Sequence, residues 1–97
     1  MKTVKGIMEI LTSHKPELQK RYKTKEIGIF GSYVENKQKS TSDIDILVDF
    51  KETPTLIKFI NCENYLSELL GTKVDLVMKR ALKPNIGKVI LEEVTYI

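Results

Sequence analysis

Only one cysteine, Cys62, occurs in the 97 residues, so no internal disulfide can form. It has no cysteine or histidine neighbour at metal-ligand spacing, which argues against a zinc site and fits a reducing cytoplasm. The single histidine, His14, sits at a break in the helical pattern without a companion ligand and reads as a solvated turn residue. No apolar run reaches membrane length, and Lys5 and Glu9 interrupt the stretch that a signal peptide would need. Repeats, low-complexity tracts and linkers are also missing. Charge of neither sign dominates: 16 basic and 13 acidic residues are interspersed, and the net charge of +3 permits nucleic-acid binding without supporting it. One compact domain over residues 1–97, soluble and cytoplasmic, is expected. A chain this short leaves no room for a separate recognition domain, so recognition is expected to come from a partner.

What is present is a regular succession of helical and strand patterns. Val4, Ile7, Met8 and Leu11 recur at helical spacing before Ser13 and Pro16 interrupt, giving two short helices or one broken helix over residues 3–22. EIGIF, residues 26–30, reads as a strand closed by Gly31 and Ser32, which begin a helical turn. NKQKSTS, residues 36–42, has no apolar residue and reads as a mobile surface loop. Residues 43–50 alternate, with Ile44, Ile46, Val48 and Phe50 on a core face and Asp43, Asp45, Leu47 and Asp49 on the other. Pro54 opens a helix to Leu70 with a stripe of Leu56, Phe59, Ile60, Leu66, Leu69 and Leu70, stopped by Gly71. Residues 73–78 form a third alternating strand, and a last helix runs from Pro84 to Glu93 with Ile86, Val89 and Ile90 apolar. The expected fold is α/β (α+β), a small mixed sheet covered by helices in the order α-β-α-β-α-β-α.

The polar strand face carries the chemistry. Asp43 and Asp45 point the same way with Cα atoms roughly 6 to 7 Å apart, and two carboxylates held so close repel unless protonated or bridged by a cation. Hard oxygen ligands suit Mg2+ or Mn2+. If the strand over residues 73–78 lies beside this one, Asp75 joins the pair and can accept a proton from an attacking hydroxyl in a two-metal displacement at phosphorus. Gly31 lets the backbone turn, and Ser32 offers a hydroxyl at a turn whose amides favour an anion, which makes a seat for phosphate. Simple solubilisation of an exposed sheet face is the plainer reading, but aspartate is depleted in strands and would be a poor choice for that purpose. Asp49 reads as a cap or turn residue, and Lys37 and Lys39 as solvated loop charges.

Gly31-Ser32, ten intervening residues and Asp43-Ile44-Asp45 form a pattern that would arise by chance in a chain of this length roughly once in a thousand sequences. It resembles the motif of the DNA polymerase β-like nucleotidyltransferase superfamily. EIGIFGSY, SDIDILVDF, TKVDLV and LKPNIGKVILEEVTYI extend the resemblance over nearly the whole chain, to the minimal nucleotidyltransferases. The resemblance implies that Asp43, Asp45 and Asp75 hold metals and that Gly31 and Ser32 hold a nucleoside triphosphate. Many relatives read Ala-Arg-Gly where this chain has Val34-Glu35-Asn36, and Lys37 or Lys39 could replace the missing cation. Minimal members are commonly paired with a HEPN-domain ribonuclease as antitoxin and toxin. The implied activity is therefore Mg2+-dependent transfer of AMP from ATP to a tyrosine of that toxin. The rival expectation is a non-catalytic antitoxin that neutralises its partner by binding, and transfer to a small molecule or nucleic acid ranks last.

Overall fold

Thr3 begins the first helix by accepting a hydrogen bond from the Gly6 amide at 3.1 Å, satisfying one of the donors that a helix start leaves without an internal partner. Helix α1 (Val4–Ser13) and helix α2 (Lys15–Tyr22) meet at His14, whose ring Nδ1 lies 2.9 Å from the Ile10 carbonyl. The structure is a computed structural model that describes residues 3–35, 37 and 42–97. The loop expected over residues 36–42 falls largely outside the described residues, and Lys39 with it.

Strand β1 (Thr24–Phe30) leads into a three-residue 3-10 turn, Gly31–Tyr33. Strand β2 (Ile44–Phe50), helix α3 (Leu56–Leu70), strand β3 (Val74–Met78), a second 3-10 turn (Lys79–Ala81), helix α4 (Pro84–Glu93) and the short strand β4 (Thr95–Tyr96) complete the order. The sheet runs β3-β2-β1-β4. It is mixed, because β2 and β3 are parallel while β1 is antiparallel to both β2 and β4. A parallel pair needs a crossover, and α3 supplies it.

Registration places Ile27 opposite Val48, Ile29 opposite Ile46, and Ile46 beside Leu76, so these side chains share one face. That face packs with Ile7 and Leu11 of α1, Leu18 of α2, and Cys62, Leu66 and Leu70 of α3 into the core. Burial pushes the Cys62 thiol up to about 12, leaving it protonated and inert, as a helix core residue should be. Phe30 and Leu47 are buried on the opposite face, outside this cluster.

Several expected boundaries move. Thr55, not Pro54, starts α3, because its side chain accepts from the Lys58 amide at 3.2 Å and caps the helix. Leu66 and Leu70 are buried as expected, but Leu56 is 73% exposed and Ile60 43%. On α4, Ile86 and Val89 are likewise exposed, so its apolar positions do not all face the sheet. The first helical stretch divides in two at His14, one of the two readings its pattern allowed, while the final strand is missing from the expected order. The helix expected after the first strand is a single 3-10 turn, anchored by the buried Tyr33.

Asp49 is explained by structure. It lies four residues beyond Asp45 on the same face, about 13 Å further along the strand. There its carboxylate meets Arg80 Nε at 3.2 Å and accepts from the Phe50 amide. The same guanidinium donates to the Thr53 hydroxyl and the Phe50 carbonyl, tying the turn after β3 to the end of β2. Arg80→Ala is expected to cost about 1–2 kcal/mol in urea unfolding, given that the pair is partly exposed, and to leave the chemistry at the far end of the sheet unchanged.

Candidate active site

Three strands bring their ends together at one edge of the sheet. Because β1 and β2 are antiparallel, the C-terminal end of β1 lies beside the N-terminal end of β2, with Phe30 opposite Asp45. Because β2 and β3 are parallel, β3 also starts there, with Asp45 directly beside Asp75. Both carboxylates therefore leave the face opposite the core. Asp43 precedes the first residue of β2 and is exposed, so the strand begins one residue later than its alternation suggests. Its carboxylate lies 3.8 Å from Lys73 Nζ in a solvated pair of little energetic weight.

Gly31 closes the other side. Its φ of +79° belongs to the left-handed region that favours glycine, and a Cβ there would sit 2.1 Å from Asp45 Oδ2. The turn and the carboxylate are in such close contact that no larger residue fits without moving one of them. Ser32 follows in the 3-10 turn, half-buried, and its carbonyl accepts the Lys37 amide at 2.8 Å. Lys37 and Glu35 are both exposed.

Asp45 is held at an unusual proton affinity. Its own burial, followed by the charges of Asp75, Asp43 and Glu93, pushes its carboxyl up to about 6. A cluster of like charges around a partly buried acid is the setting in which a cation is favoured, and in which perturbed acids mark functional sites. Among the described residues, no group of three or more histidine, cysteine, aspartate or glutamate side chains is placed to hold a metal ion.

Glu93 is the residue that sequence reasoning missed. It ends α4, and its Oε1 accepts a hydrogen bond from the Gly31 amide at 3.0 Å. A signal was available: an acidic residue at a helix C-terminus opposes the helix dipole, which asks for a local reason.

Comparison with known proteins points to a family. The model of the nucleotidyltransferase domain family matches residues 11–97. A Thermococcus cleftensis protein named protein adenylyltransferase MntA is 56% identical over 97 residues, spanning all of this chain and 98% of its own length. A solved toxin-antitoxin complex with AMP-PNP superposes with a TM-score of 0.70 at 27% identity, covering 96% of this chain and 70% of the other. A second, a tri-AMPylated Shewanella oneidensis HEPN toxin in complex with its MNT antitoxin, gives a TM-score of 0.61 at 25% identity, covering 96% and 66%. With the family model spanning most of its length, a relative of matching size and a sheet edge built around paired carboxylates, this chain belongs to the nucleotidyltransferase domain family.

Proposed function

We propose that this chain is a protein adenylyltransferase that transfers AMP from ATP to a HEPN-domain toxin and thereby acts as the antitoxin of the pair. The observation that carries the reading is the register that sets Asp45 beside Asp75, with Asp43 two residues away and the Gly31 turn against Asp45 Oδ2. The full-length similarity to a protein adenylyltransferase supports the same activity. The exposed Leu56, Ile57, Ile86 and Val89 are surface of the kind that a protein partner covers. An ATP-dependent reaction on such a partner is one suited to the cytoplasm.

The donor set fits Mg2+, with Mn2+ as a substitute. Burial and the charges of Asp75 and Asp43 push the Asp45 carboxyl up, and a hard cation that keeps positions for substrate phosphate and water would relieve that repulsion. Asp43, Asp45 and Asp75 would hold it. When bound, the metal supplies positive charge that offsets the charge of the reacting phosphates. Ser32 orients the triphosphate through its hydroxyl. An acceptor oxygen, which we assign to a tyrosine, bonds to the α-phosphorus as the bond to the bridging oxygen breaks. Diphosphate leaves, and Asp75 takes the acceptor proton.

Incubation of the purified pair with Mg2+ and ATP labelled at either the α- or the γ-phosphate tests the reading. Label should enter the toxin only from the α position. Equal transfer from the γ position would reassign the protein as a kinase, and toxin silencing without label would leave it a binding module.

A further inference from the structure

We infer that Glu93 is a positioning residue that fixes the Gly31 turn against Asp45, an assignment that rests on the nucleotidyltransferase reading and extends its site by one residue. The register between the last strand and the first explains how it arrives there. Ile29 pairs with Thr95 in an antiparallel ladder, and continuing by two residues on each chain sets Gly31 opposite Glu93. The approach is close because Gly28 has no side chain: a Cβ there would meet Val94 Cγ2 at 2.5 Å. Thus β4, only two residues long, serves to deliver the end of α4 to the turn.

The hydrogen bond at stake is a specific one. Gly31 has φ +79°, its Cα faces Asp45 Oδ2, and its amide donates to Glu93 Oε1 at 3.0 Å. Two carboxylates therefore bracket one glycine, one by contact and one by hydrogen bond. An acidic residue beside Asp43, Asp45 and Asp75 is electrostatically unfavourable, so a neutral acceptor would serve better if the contact had no further consequence. A carboxylate acceptor gives the stronger bond and holds the peptide plane more firmly. It follows that the Gly31 amide is engaged by the protein itself, and that contact to phosphate falls to Ser32 and the rest of the turn.

Glu93→Gln keeps a carbonyl acceptor and removes the charge, whereas Glu93→Ala removes both. In the nucleotide-free protein, hydrogen exchange of the Gly31 amide should accelerate about tenfold or more in Glu93→Ala, the scale of one hydrogen bond to a charged group, and about threefold in Glu93→Gln, where a weaker neutral bond remains. AMP-PNP dissociation constants should follow the same order, about tenfold weaker for the alanine variant and within about threefold for glutamine. The assignment is overturned if Glu93→Ala leaves Gly31 exchange and AMP-PNP affinity unchanged. It is also overturned if that variant binds nucleotide more tightly, since Glu93 would then only repel phosphate, or if it unfolds or loosens β1 and β4 throughout. If wild type itself fails to bind AMP-PNP while the Gly31 exchange pattern holds, the nucleotidyltransferase reading fails and the positioning contact stands.

Discussion

Asp45→Asn should lower AMP transfer by about a thousandfold or more while leaving a folded protein that melts higher than wild type. The loss follows from its position: Asp45 lies between Asp75 on the neighbouring strand and the Gly31 turn, so no nearby group can take its place. The gain in stability follows from charge. Folding raises the Asp45 carboxyl from 3.8 to about 6, so the folded chain binds that proton more tightly than the unfolded chain. Its contribution to stability is therefore complete below pH 3.8 and is lost as the pH rises through about 6. Asparagine never carries the charge, so the gain should appear well above pH 6 and shrink as the pH falls. A shift of this size, discounted for partial exposure, is about 1 kcal/mol, or roughly 4–8 °C in Tm for a chain of this length. Calorimetry across pH with no divalent ion measures it, and a variant that melts lower at every pH contradicts the account. Metal affinity of wild type should weaken over the same interval, because a proton and a cation compete for Asp45.

The second large effect is that of Gly31→Ala. Two separate penalties apply: the left-handed φ of +79°, and a methyl placed 2.1 Å from Asp45 Oδ2 and 2.9 Å from its Cγ. Backbone strain of this kind costs about 1–3 kcal/mol, visible as a lower Tm. Relief of the contact displaces the Asp45 carboxylate, and a shift of about 1 Å in a reacting group costs about a hundredfold in rate. Stability and turnover should therefore fall together, in contrast to Asp45→Asn, where they move apart. A Gly31→Ala protein with normal turnover would mean that the turn and Asp45 do not act as one unit.

The parts of the fold that were legible in the sequence are those with strict periodicity. Ile44, Ile46, Val48 and Phe50 alternate without interruption and are all buried, so the opposite direction of Asp45 follows from pleat geometry alone. Asp75 was legible one step further, because Val74 and Leu76 specify the face of β3 and the parallel register then sets Asp75 beside Asp45. Boundaries set by single side chains were less visible. Thr55 caps α3 by a hydrogen bond that competes with the helix-starting preference of Pro54, and sequence alone does not decide between them. Strand β4 is too short to carry a period, so its pairing with β1 was hidden, and the helix-end signal at Glu93 therefore pointed to no partner. The contact between Gly31 and Glu93 joins residues 62 apart, and nothing local marks either one as the other's partner.

Intact-mass spectrometry of the HEPN toxin after coexpression with this chain tests the central claim most directly. The toxin should carry one or more AMP groups when paired with wild type and none when paired with the Asp43→Asn/Asp45→Asn double variant, although both pairs should copurify. Toxin that is silenced but unmodified in both pairs would contradict catalysis at the carboxylate edge and leave complex formation as the means of neutralisation.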